Sequence, residues 1–184
     1  MPEHELAKHK LLGICGALRA DSSNRMLMRE AARLFAPADF TEADLRLPLY
    51  DGDLEAEGIP EAVTRLADQV RGADAIIIST PEYNKAPPGV LKNALDWISR
   101  VPGAAFAGKP VAIMSSAAGR AGGERSQYVL RWMLTPFNAR VLTAPEILIP
   151  GANKAFDAAG KLQDEKSVEL LQKLMDALRA EIRA

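Results

Sequence analysis

The run Ala75-Ile76-Ile77-Ile78 is apolar at every position, with no alternation of polar and apolar side chains. A strand of that kind is buried on both faces, as happens in parallel sheets covered by helices on each side. The segments around it agree. Lys10 to Cys15, Phe40 to Leu45, Asp74 to Ser79, Pro110 to Ser115 and Ala139 to Ile149 read as strands. The second is short and partly polar, as suits an edge, and the fifth is interrupted by Pro145. Ser23 to Phe35, Glu61 to Arg71, a segment from Pro87 or Pro88 to Ser99, Glu124 to Phe137 and Asp164 to Ile182 read as helices from their apolar spacing. Leu47 to Pro60, punctuated by Pro48, Gly52, Gly58 and Pro60, reads as a long loop. Strands alternating with helices in this way predict an α/β fold of three layers, a doubly wound parallel sheet of five strands.

The expected architecture is flavodoxin-like, with strand order 2-1-3-4-5. Neither a repeat nor a linker interrupts the pattern, so residues 10–184 are expected to form one domain behind a polar leader, residues 1–9. The leader is too polar for a secretory signal, no apolar run is long enough to span a bilayer, and a cytoplasmic location is expected. A formal net charge of −1 gives no reason to expect nucleic acid or a membrane surface as a partner. Cys15 is the lone cysteine, which rules out an internal disulfide and reads as a small buried hydrophobe. The only histidines, His4 and His9, lie in the leader. The body of the chain therefore lacks the commonest general base and the commonest metal ligand. No metal site is expected, and a Ser-His-Asp hydrolase is disfavoured. If the chain is an enzyme, a cofactor carries the hard chemistry.

Two turns carry the cofactor signal. The first, Gly16-Ala17-Leu18-Arg19-Ala20-Asp21-Ser22-Ser23-Asn24, joins strand one to helix one. Free amides at a helix N-terminus attract phosphate; Arg19 adds a planar fork of donors, and Ser22, Ser23 and Asn24 add neutral ones. Neither a dinucleotide fingerprint nor a P-loop is present, so the turn suits one terminal phosphate. The alternative is that Asp21 or Ser22 only caps the helix. The second turn, Pro81-Glu82-Tyr83-Asn84-Lys85, follows strand three and leads into the helix near Pro88. In the expected order strands one and three are neighbours, so the two turns flank one crevice at the switch point. A phosphate at one turn and a flat ring at the other is what FMN requires. Ser116 and Ala117, small residues after strand four, permit close approach to a ring.

On these residues the chain resembles the NADPH-dependent FMN reductase family, which includes flavodoxin-like quinone and chromate reductases and azoreductases. The resemblance is carried by the first turn, by Thr80-Pro81-Glu82-Tyr83-Asn84 and by Pro88-Gly89-Val90-Leu91-Lys92-Asn93-Ala94-Leu95-Asp96-Trp97. Gly108-Lys109-Pro110, Gly122 to Tyr128 and Pro145-Glu146 add to it. It implies that Arg19, Ser22 and Asn24 hold the FMN phosphate. Glu82, Tyr83 and Asn84 would contact the isoalloxazine, largely through backbone, and Ser116 and Ala117 would line its other side. It implies NADPH or NADH as co-substrate, ping-pong hydride transfer, and quinones, flavins, azo compounds or chromate-like oxyanions as acceptors. It also implies a homodimer or homotetramer, with Arg125, Tyr128 and Glu146 at an interface or substrate rim. Ala17 and Ala117 stand where serine is common in the family, and Lys85 adds charge at the rim. Two other readings stay open, a flavodoxin-type electron carrier and a flavin-binding sensor without turnover.

Overall fold

A computed structural model describes residues 8–182, so residues 1–7 of the expected leader lie outside the described residues. In chain order the elements are β1 (His9–Cys15), α1 (Ser23–Phe35), β2 (Ala38–Glu42), α2 (Gly52–Glu57), α3 (Glu61–Gly72), β3 (Ala75–Ser79) and α4 (Gly89–Arg100). They continue with β4 (Pro110–Ser116), α5 (Glu124–Leu134), β5 (Arg140–Val141), β6 (Ile147–Ile149) and α6 (Glu165–Ile182). All pairings are parallel, and the sheet runs β2-β1-β3-β4-β5, with β6 also on β4.

The strand order is the expected one; four details differ. The predicted fifth strand is two short ones, because the Pro145 segment leaves the ladder between Val141 and Ile147. Helix α2 lies inside the predicted loop. It buries no residue and is held by its Asp51 cap, so no apolar period announced it. Helix α5 ends at Leu134 and gives way to a 3-10 turn at Thr135–Phe137, where Pro136 cannot continue the α-helical ladder. At α4, Pro88 is the N-cap rather than the first helical residue.

The core has two layers. Leu11, Ile77, Ala112 and Met114 face α1 and α6, where Leu27, Met28, Phe35, Leu171, Leu174 and Leu178 cover them. Leu12, Ile14, Ile76, Ile78 and Ile113 face the other way, beneath Leu66 and Val70 of α3, Leu91, Leu95 and Ile98 of α4, and Leu130 and Leu134 of α5. Each fully buried Leu or Ile contributes about 1.5–3 kcal/mol. The register sets Cys15 beside Ser79 and Ser79 beside Met114, so β1, β3 and β4 end at nearly one level. The turns that leave them form a shared edge.

Candidate functional site

The first turn exposes donors and hides acceptors. The amide of Gly16 continues the ladder to Ser79 O at 2.9 Å. Beyond it, the amides of Leu18, Arg19, Ala20 and Ser23 make no hydrogen bond among the described residues. Ser22 caps α1, its Oγ accepting from the Asn24 amide at 3.2 Å, which leaves the hydroxyl hydrogen free to donate. Arg19 is exposed and has no ion-pair partner among the described residues. Asn24 is 1% exposed and turned inward. Its Nδ2 donates to Ser116 O at 2.7 Å, while its Oδ1 accepts from Ser79 Oγ and from the Ser116 amide, each at 3.0 Å. Asn24 is thus a strut joining α1 to the ends of β3 and β4, a role invisible beside two serines in the sequence.

The third turn closes on itself. Tyr83 and Ala86 exchange backbone hydrogen bonds at 2.9 and 3.1 Å around Asn84 and Lys85, both with positive φ. The amides of Glu82, Asn84 and Lys85 have no partner among the described residues, and the Tyr83 side chain is exposed. Gly16 lets the two turns meet, since a Cβ there would lie 3.1 Å from both Pro81 Cδ and Pro88 Cγ. The carboxylate of Glu82 is turned to the start of α5, accepting from the Arg125 amide at 3.2 Å with the Arg125 guanidinium at 3.7 Å. This is a favourable place for a carboxylate on helix-dipole grounds. Glu82 therefore faces the crevice with its backbone.

Sequence reasoning missed what holds this turn. Ser126 Oγ, fully buried, donates to Pro81 O at 2.9 Å and lies 2.9 Å from Thr80 Oγ1. Gln127 is also buried, donating to Ser115 Oγ and Ile147 O. It belongs to the interior. The only available signal was the glycine pair before α5. Gly122 and Gly123 have φ of 60° and 94°, and a Cβ on Gly122 would fall 2.7 Å from the Leu148 carbonyl carbon.

The remaining expected residues divide. Ser116 has both backbone groups bonded to Asn24, and its buried Oγ has no partner among the described residues. Ala117 spends its amide on Ile149 O and its carbonyl on the Ala152 amide, so it offers the crevice only its methyl group. Arg125 pairs with Glu82, and no Arg125–Glu146 pair forms among the described residues. Glu146 instead lies by Tyr128: its charge, then that of Glu124, pushes the Tyr128 phenol up and keeps it protonated. Burial likewise pushes the Cys15 thiol up, in keeping with an inert core residue. A cavity of about 830 Å³ lies away from this edge, between the end of α4 and the 3-10 turn after α5. Leu95, Ile98, Val101, Trp132 and Phe137 line it. The edge itself is an open shelf, and we place the site there because the donors converge there and the sheet switches direction there.

That shelf fits FMN. A run of free amides at a helix start suits a phosphate, the free amides of the third turn suit the polar edge of a ring, and Ala117 and Gly119 leave room beside it.

Comparison with known proteins leads to the same chemistry. The family model described as NADPH-dependent FMN reductase matches residues 9–154. An NAD(P)H-dependent FMN reductase of Pseudomonas aeruginosa is 47% identical over 176 residues, 95% of each chain. A quinone reductase of Escherichia coli is 41% identical over 171 residues, 89% of this chain and 90% of that one. Among solved structures, the flavoenzyme NAD(P)H:(acceptor) oxidoreductase FerB of Paracoccus denitrificans superimposes with a TM-score of 0.86 at 34% identity, covering 95% of this chain and 97% of its own.

Proposed function

This chain belongs to the NADPH-dependent FMN reductase family, and we propose on that basis that FMN lies on the shelf at the ends of β1, β3 and β4. The chain is an FMN-dependent NAD(P)H oxidoreductase of quinones and flavins. In our reading, residues 18–23 take the phosphate, with Asn24 bracing them from within, and residues 81–85 the ring. The observation that carries this is the convergence of two sets of unpartnered amides, from the first and third turns, brought together where Gly16 meets Pro81 and Pro88.

The chemistry that FMN supplies when bound is two-electron hydride exchange between NAD(P)H and a small acceptor. The protein's part is position and electrostatics. Arg19, the Ser22 hydroxyl, Ser23 and the turn amides bind the phosphate oxygens. The amides of Asn84 and Lys85 orient the ring and favour negative charge on its polar edge. Among the described residues the one histidine, His9, sits at the start of β1, the opposite end of the strand from the shelf, so none of these residues brings an imidazole to the shelf.

An open shelf has room for one partner at a time on the exposed ring face. NAD(P)H and the acceptor then take turns, and azo compounds and chromate-like oxyanions are acceptors as well as quinones. Initial rates against both substrates should give parallel lines; intersecting lines contradict shared occupancy. NADPH should bleach the yellow protein and a quinone should restore the colour. Bleaching without restoration would instead favour a sensor.

The groove beside Trp132 supports self-association into a homodimer or homotetramer. That indole is 75% exposed, and Tyr128, one turn earlier on α5, is exposed too. Most of the apolar residues of α4 are buried within the chain itself, so α5 carries this reading. No helix among the described residues is long and apolar enough to cross a membrane. We place the reaction in the cytoplasm, where NAD(P)H is supplied.

A further inference from the structure

Ala17 brings no hydroxyl to the first turn, so the backbone amides there carry a larger share of a phosphate beside Arg19, Ser22 and Ser23, and such amides serve only if they are held facing outward. Three carbonyls of the turn are each tied to an internal donor. Ala17 O accepts from Arg25 Nη2 at 3.3 Å, Leu18 O from Arg46 Nη2 at 2.9 Å and Arg19 O from the Ser22 amide at 3.3 Å. These peptides are trans, and in a trans peptide the N–H of the next residue points opposite to the carbonyl. The amides so turned outward are those of Leu18, Arg19 and Ala20, all without a partner among the described residues. Successive amides of this kind form an anion-binding concavity.

Each guanidinium is itself held. Arg25 Nη1 donates to Glu42 Oε2 at 2.7 Å, and Glu42 is shared with Arg29. Arg25 Nε is buried without a partner. Arg46 is fixed through Asp44, whose Oδ1 accepts from Arg46 Nη1 at 3.3 Å and from the Arg46 amide at 3.0 Å. One arginine thus reaches the turn from α1 and the other from the chain beyond β2.

We infer that Arg25 and Arg46 are positioning residues, which set the peptide orientation of the first turn and through it the affinity for the FMN phosphate. This rests on the reading that the turn holds that phosphate. Both arginines bond the first turn and neither bonds the third turn, to which the ring is assigned, so the effect is confined to ligands that carry the phosphate.

Arg46 is the residue to test, since it is exposed and its loss leaves the core intact. Flavin-free protein is titrated with FMN and with riboflavin, which lacks the phosphate, and urea unfolding checks that each variant is folded. The native protein should prefer FMN. Arg46→Ala should lower that preference by about tenfold, with riboflavin affinity unchanged, the effect of losing the one hydrogen bond that holds the Leu18 carbonyl. Arg46→Gln keeps a donor without the charge and should recover most of the preference. If Arg46→Gln binds FMN as weakly as Arg46→Ala, or if Arg46→Ala weakens both flavins equally or neither, the positioning role is overturned. If the native protein does not distinguish FMN from riboflavin, the phosphate reading of the turn fails first.

Discussion

At the scale of single residues, Lys85 stands in a conformation its side chain disfavours. Its φ is 67°, next to Asn84 at 51°, and a non-glycine residue in that left-handed region costs about 1–2 kcal/mol. Asparagine tolerates the region; lysine has no local hydrogen bond to offset the cost. Lys85→Gly should therefore raise stability by about 1 kcal/mol, seen as a higher urea midpoint with an unchanged slope. Glu42 gives a pH-dependent case. Burial alone would raise its carboxyl, but hydrogen bonds from Arg29 and Arg25, with their charges, outweigh that and hold it below the ordinary range. A carboxyl depressed in this way contributes stability that is complete above its unfolded value and is lost as pH falls through the folded one. Glu42→Gln should thus be less stable than the native protein at neutral pH, and the difference should shrink in acid. Urea unfolding at several pH values checks this; a gap that stays constant contradicts it.

At the scale of elements, the site depends on ties between segments far apart in sequence. Asn24 joins α1 to β3 and β4, and Ser126 joins α5 to the third turn. Asn24→Ala leaves the Ser116 amide and carbonyl buried and unbonded, a loss of about 2–4 kcal/mol from two such groups. It should also weaken FMN binding, because the turns lose their common anchor. Ser126→Ala should cost less stability, about 0.5–1.5 kcal/mol, since Thr80 Oγ1 still donates to Pro81 O at 3.0 Å and only one hydrogen bond to that carbonyl is lost. Denaturant unfolding and flavin titration of both variants test the pair. These ties explain what the sequence could and could not disclose. The apolar run of β3 and the spacing of α1, α3 and α6 are local patterns, and they placed the elements. Whether Asn24 points to a ligand or into the protein depends on Ser116, which lies 92 positions away. The partner of Arg125 within the chain is Glu82, 43 positions earlier. Pairings at that distance leave no periodic trace.

At the scale of the whole molecule, the parallel order of the sheet brings the ends of β1, β3 and β4 to one edge, and both turns of the candidate site leave from that edge. That arrangement was legible because continuous apolar strands between helices admit few topologies. The groove beside α5 was not, because its lining comes from α4, α5 and the turns after them. Trp132→Lys should shift the assembly toward smaller species in sedimentation at equal protein concentration, while the same mass for both proteins would remove this face from the interface. The central claim is the shelf itself, and a crystal structure of the protein with FMN tests it most directly. The account predicts the phosphate against the amides of residues 18–20 and 23, with the ring beside residues 82–85. FMN bound at another edge, or a shelf blocked by side chains while FMN is held elsewhere, would contradict it.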